Sequence, residues 1–296
     1  LISGGEHPLG KQAHIILFGN QKGGSGKSTA AMHLIVGLLR LGFRVASIDL
    51  DARQQSLTHY LENRSRELEK HGVWLPMPTH ILMEPVALDD RKQRRQELEK
   101  RLRDQIDLLR GQFDFIVIDT PGADNLLSRV GHGMADTLVT PVNDSFLDLD
   151  LLVRLKNGSI GEARPSSYAN LVMAQRKKRF QQLKSGMDWI ILRNRIPTLR
   201  SKNNRNMARH LEDLSAQMGF RIVPGITERV IFRELFLNGL TVLDLAEETA
   251  LETPLTMSQL AARQEARDLM KALWLPSIER KMGHSKILEK ERSQST

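Results

Sequence analysis

Residues 14–41 read HIILFGNQKGGSGKSTAAMHLIVGLLRL. An apolar run, His14 to Gly19, leads into a glycine-rich stretch. Apolar residues at helical spacing follow: Met32, Leu34, Ile35, Leu38 and Leu39. This order predicts a strand over His14–Gly19, a tight loop, and a helix over Ser28–Leu41. The loop carries Lys22, Gly23, Gly24, Ser25, Gly26, Lys27, Ser28 and Thr29. Its glycines let the backbone curl so that successive N–H groups converge, and the helix N-terminus adds positive potential. Such a loop suits an anion, and a chain of phosphates above all.

The side chains agree with that reading. Lys27 supplies a point charge for β- and γ-phosphates, Ser28 a hydroxyl for Mg²⁺, and Thr29 a hydrogen bond to an α-phosphate. The standard pattern places glycine at position 21, where this chain has Gln21, and an extra lysine stands at 22. The alternative is a glycine loop that only caps a helix; the flanking strand and helix favour phosphate.

Carboxylates complete the candidate site. Asp119 ends a short apolar strand, Phe113–Asp119, where it can hold Mg²⁺ through water. Asp119-Thr120-Pro121-Gly122 also reads as a turn, and the two readings are compatible. Asp49 and Asp51 close a second strand over Phe43–Asp49. Asp51 either orients an attacking water or caps the next helix.

Outward from this loop, short apolar runs alternate with amphipathic stretches. That pattern predicts an α/β fold: a single P-loop NTPase domain with a mostly parallel twisted sheet flanked by helices. Further strands are expected at Thr137–Val142 and Trp189–Arg193. Asp89–Arg110 is predicted as a surface helix with Leu98, Leu102, Ile106 and Leu109 along one side. Lys156–Asn170, rich in Gly, Ser and Pro, reads as a long surface loop. Residues 1–12, without a signal pattern, are expected to be disordered or an appendage. Residues 13–275 form the domain, and a charged tail is expected over 276–296.

Composition excludes several functions. With no cysteine in 296 residues, disulfides, thiolate zinc sites and thiolate-held iron–sulfur clusters are ruled out. The nine histidines show no helical metal-binding pair. No apolar run approaches the roughly 18 residues of a membrane span. Leu273-Trp274-Leu275 is cut by Pro276, so no membrane anchor is expected.

The net charge of +8 is localised: residues 171–221 hold twelve basic and three acidic side chains. A helix over 201–218 would place Lys202, Arg205 and Arg209 on one face and Met207, Leu211, Leu214 and Met218 on the other. With Arg193, Arg195, Arg200 and Arg221 nearby, contact with phosphate backbones is favoured over a merely solvated face.

These motifs resemble the ParA/MinD group of deviant Walker A ATPases. Lys22 matches the group's extra lysine; Asp49-Leu50-Asp51 and Asp119-Thr120-Pro121-Gly122 match its other motifs. Within the group, HGMADTLVTPVNDSF (132–146), MDWIILRNR (187–195), ERVIFRELFLNGLTVLDL (228–245) and LAARQE (260–265) resemble the MipZ family of bacterial division-site regulators. The resemblance implies an ATP-bound homodimer with Lys22 reaching the partner's phosphates, and Asn194 against adenine. It also implies slow ATP hydrolysis, nonspecific DNA binding by the dimer, ParB binding, inhibition of FtsZ polymerisation, and a bacterial cytoplasmic, nucleoid-associated location. The alternatives are a ParA-type chromosome or plasmid partitioning ATPase and a nucleotide-dependent DNA-binding module with negligible turnover.

Overall fold

The computed structural model describes residues 12–72, 74–156, 159–197, 202–245 and 255–283. The strands are β1 (His14–Phe18), β2 (Val45–Asp49), β3 (Thr79–Leu82), β4 (Phe115–Asp119), β5 (Thr137–Asn143), β6 (Val153–Lys156), β7 (Ser159–Pro165), β8 (Asp188–Asn194) and β9 (Arg221–Val223). The helices are α1 (Lys27–Arg40), α2 (Ser56–His71), α3 (Arg91–Arg110), α4 (Leu126–Met134), α5 (Phe146–Leu149), α6 (Ser167–Leu183), α7 (Lys202–Met218), α8 (Ile231–Leu237) and α9 (Met257–Lys271).

Seven strands form one sheet in the order β3-β2-β4-β1-β5-β8-β9, parallel at every pairing. Its inner strands are short apolar runs because a parallel sheet is covered on both faces. Alternation along each strand divides the core into two layers. Ile16, Phe18, Phe115, Val117, Ile190 and Leu192 face α1, α2, α8 and α9. Ile15, Leu17, Ile116, Ile118, Trp189 and Ile191 face α3, α4, α6 and α7.

Topology then locates a crevice. Neighbouring strands β1 and β4 pair in register, Phe18 opposite Asp119, but their chains leave to opposite faces through α1 and α4. In open parallel sheets ligands bind outside the carboxyl ends of strands at such a point.

Several expected elements are present. α3 buries Leu102, Ile106 and Leu109, with Leu98 packed beside them, and Asp90 caps it by accepting from the Gln93 N–H at 2.6 Å. α7 buries Met207, Leu211, Leu214 and Met218. No helix among the described residues is long and apolar enough to cross a membrane.

Two expectations are corrected. The stretch 156–170 is not one long loop: it holds β7, which pairs antiparallel with β6, and the start of α6. Ser166 caps that helix, accepting from the Ala169 N–H at 3.0 Å. Gly, Ser and Pro mark hairpin turns and helix caps as readily as loops. Nor does the fold dissolve at Pro276: residues 276–283 are helical, with Ile278 and Met282 in the core. Proline suits a first helical position because its missing N–H has no partner there anyway. The rest of the expected tail, 284–296, and residues 1–11 lie outside the described residues.

Candidate nucleotide site

The loop from β1 to α1 is shaped by glycine. Gly24 (φ +70°) and Gly26 (φ +83°) adopt left-handed conformations that side chains disfavour. Asn194, at the end of β8, is packed beneath the loop and donates from Nδ2 to the Ser25 carbonyl at 2.8 Å. A Cβ on Gly26 would lie 2.1 Å from that amide nitrogen.

Lys27 is buried, and its Nζ donates to the Lys22 carbonyl at 3.1 Å. Burial lowers the pKa of the ammonium, while Asp119 and Asp51 oppose the shift. Ser28 donates from Oγ to Asp119 Oδ2 at 2.5 Å, whereas buried Asp119 Oδ1 has no hydrogen-bond partner. Burial pushes the Asp119 carboxyl up to about 7, against the Ser28 hydrogen bond. The Ser28 hydroxyl and the Asp119 carboxylate, one of whose oxygens is orphaned, form a hard-oxygen pair that fits Mg²⁺.

Asp51 does not cap the next helix: α2 starts at Ser56 with Gln55 at its N-cap position and no side-chain cap. The Asp51 Oδ1 accepts from the N–H groups of Gln54 (3.0 Å) and Arg53 (3.3 Å), closing the turn before α2, and Asp51 also lines the loop cavity. Lys22 forms an ion pair with Asp148 of its own chain at 3.0 Å.

Two cavities meet here. One, about 710 Å³, is lined by Gly23–Thr29, Asp51 and the 119–123 turn. The other, about 400 Å³, has a largely apolar wall that includes Ile226, Phe232 and Phe236, with Asn194 beside them. Gly26, Thr29, Arg195 and Phe236 line both. A phosphate-binding half joined to an apolar half is the outline of a nucleotide site. Glu265 on α9 braces the second half, binding Arg229 through both oxygens (2.6 and 2.9 Å) and the Thr227 hydroxyl (2.7 Å).

Arg193 is tied to Asp144. Arg221 binds Asp188 and the Ala272 carbonyl and stacks on Trp274 at 3.8 Å. Arg195, with φ +50°, lines the nucleotide cavities. Within this chain the charges of Arg193 and Arg221 are paired, whereas Arg195 is exposed beside the cavities. Arg209 is exposed on α7. Arg200 and the side chains of Lys202 and Arg205 lie outside the described residues.

Sequence reasoning missed Phe232, Phe236 and Asp148 as site residues. The first two fall inside the string ERVIFRELFLNG (228–239), whose pattern shows no phosphate chemistry, and Asp148 follows β5 without a motif of its own.

Fold and site together define a P-loop nucleotide-binding protein of the ParA/MinD type, with a lysine at the front of the loop. The chain belongs to the ATPase MipZ family, whose sequence model matches residues 14–277. It is 27% identical over 170 residues to the septum site-determining protein MinD of Helicobacter pylori, covering 51% of this chain and 62% of that protein. It is 28% identical over 175 residues to the chromosome partitioning protein ParA of Myxococcus xanthus, covering 51% and 59%. The matches thus span about three-fifths of the relatives' length. Among solved structures, an ATP complex of a McdA variant from Cyanothece is similar at TM-score 0.59 and 20% identity, covering 90% of this chain and 98% of that one. MinD of Pyrococcus horikoshii with Mg-ADP gives TM-score 0.53 at 19% identity, covering 88% and 97%. At these identities the likeness is one of fold.

Proposed function

We propose that this chain is an ATP-hydrolysing switch that dimerises with ATP and regulates placement of the division site. The observation that carries this reading is the Ser28–Asp119 pair with its unpartnered oxygen, set beside the glycine loop and opening toward an apolar base cavity. Gly23–Thr29 bind the phosphates, and Phe232, Phe236 and Asn194 hold adenine. Ser28 would bind Mg²⁺ and Asp119 would hold it through water. When bound, the ion offsets the phosphates' negative charge.

Asp51 orients a water for attack on the γ-phosphorus. The new P–O bond forms as the bond to the β-phosphate oxygen breaks, giving ADP and phosphate. Lys22 leaves Asp148 and reaches the phosphates of a second subunit, a cation delivered in trans. Hydrolysis is slow and returns monomers.

Membership of the MipZ family supports a bacterial cytoplasmic protein acting at the nucleoid, with ParB, FtsZ and nonspecific DNA as partners. The similarity to ParA supports the second reading, a partitioning ATPase. Light-scattering mass without nucleotide, with ADP and with ATP tests the switch. Doubling with ATP alone, persisting in Asp51→Ala and absent in Lys22→Ala, is expected, and no doubling would overturn it. Loss of pelleted FtsZ in the presence of the ATP dimer then supports division-site control. Unchanged pelleting favours partitioning.

A further inference from the structure

The segment from the end of β2 to the start of α2 carries Asp51, and a chain of hydrogen bonds holds it from behind. Asp49 is fully buried. Its Oδ1 accepts from the Asp51 N–H at 2.9 Å. Its Oδ2 accepts from the Thr58 N–H at 3.1 Å and from the Thr58 hydroxyl at 3.0 Å.

The chain continues outward. Thr58 Oγ1 lies 2.9 Å from His80 Nε2, and His80 Nδ1 lies 2.8 Å from Ser47 Oγ. A threonine hydroxyl has one proton, and here it goes to Asp49. The Thr58 oxygen must therefore accept from His80, which places the imidazole proton on Nε2. Nδ1 is then an acceptor, and Ser47 donates to it. The donors run in one direction, Ser47 to His80 to Thr58 to Asp49, and such chains strengthen one another. The β2–β3 register sets Ser47 opposite His80, so the edge strand, α2 and the Asp51 segment are joined through side chains.

We propose that His80 and Thr58 are positioning residues for hydrolysis: through Asp49 they fix the backbone of Asp51 and hence the carboxylate that orients water. The proposal rests on the ATPase reading above. Neither residue lines the phosphate cavity, so neither should be needed to bind nucleotide. Between Asp51 and Thr58 the backbone passes through a left-handed Gln55 (φ 49°), and the buried Asp49 carboxylate grips both ends of that turn.

The test measures kcat and KM for Mg-ATP in the full chain, with melting temperature as a control on folding. Thr58→Val and His80→Leu are expected to lower kcat about tenfold with KM nearly unchanged, as misplacement of a positioning group does. The double variant should be no slower than either single one, because both break one chain. Thr58→Ser keeps the hydroxyl, and His80→Gln keeps a donor near Nε2; both should restore most of the rate. Unchanged kcat, equal changes in kcat and KM, or additive losses in the double variant would overturn the positioning role. A natural chain that binds ATP without turning it over would instead overturn the ATPase reading, and this proposal with it.

Discussion

Gly122 packs against Gly23 so closely that a Cβ on Gly122 would lie 2.9 Å from the Gly23 nitrogen and 3.0 Å from its Cα. The turn after β4 and the phosphate loop are therefore one packed unit, and Thr120 adds to it by donating from Oγ1 to the Phe18 carbonyl at 2.8 Å. The atoms that would be struck are backbone, so a side chain at 122 must displace the loop itself. Gly122→Ala is expected to weaken nucleotide binding about tenfold with little change in melting temperature, since the loss lies in site geometry rather than core packing. Titration calorimetry with ADP checks it.

Ser28 and Asp119 should make nucleotide binding depend on magnesium. Adding a chelator is expected to weaken ATP binding by the natural chain. Ser28→Ala, which removes the hydroxyl offered to the ion, should bind more weakly and respond little to the chelator. Equal chelator sensitivity in both proteins would remove Ser28 from the metal site.

Arg209 and Arg221 separate surface charge from structural charge. Arg209 is exposed, so Arg209→Ala should weaken DNA binding by the ATP dimer across all sequences and reduce the slope against log salt by about 1. Arg221 is paired with Asp188 and stacked on Trp274, so Arg221→Ala should lower the melting temperature first. Fluorescence anisotropy at several salt concentrations, beside thermal melts, distinguishes the two.

A buried ionic knot ties α1 and α2 to the 239–244 segment. Asp244 accepts from Arg64 at 2.8 and 2.9 Å and from Arg40 at 2.7 Å, and Arg64 is fully buried. Asp244→Ala leaves the Arg64 guanidinium without its carboxylate, which is expected to cost about 3–5 kcal/mol of stability. Urea denaturation measures the loss.

His33 gives the fold a pH dependence. Its Nδ1 lies 2.8 Å from the Thr29 carbonyl, to which it donates, and Nε2 accepts from the Val242 N–H at 3.3 Å, so the neutral ring satisfies both. Burial pulls its pKa down from 6.5 to about 4; the Thr29 hydrogen bond and Asp244 oppose that shift, and Arg64 adds to it. The unfolded chain takes up the proton first as pH falls. The stabilisation is therefore complete above pH 6.5 and is lost as pH falls toward 4. Burial lowers the pKa of His132 as well, so His33→Leu should flatten the acid slope of melting temperature without abolishing it.

The two carboxylate motifs and the phosphate loop were legible in the sequence because each depends on local chemistry. A glycine needing positive φ, a lysine at a helix start and an aspartate ending an apolar strand each announce themselves within a few residues. The inner strands were legible for the same reason, and so were α1, α3 and α7, whose apolar periodicity is strong. β3 and β9 were not, being only four and three residues long. The stretch 156–170 was misread because its composition marks turns without saying what lies between them.

By itself, then, the sequence determined that this chain has a parallel α/β fold around a P-loop, and it pointed to the residues of that loop proposed to meet phosphate. The tertiary structure alone decided what depends on distant residues. It set Phe232 and Phe236 across from Asn194 and brought Glu265 onto Thr227 and Arg229. It also committed Arg193 and Arg221 to ion pairs and linked His80 to Asp49 through Thr58. The reason is physical: backbone preference acts over a few residues, whereas the partner of a charge or hydroxyl is fixed by where the sheet order places elements far apart in the chain.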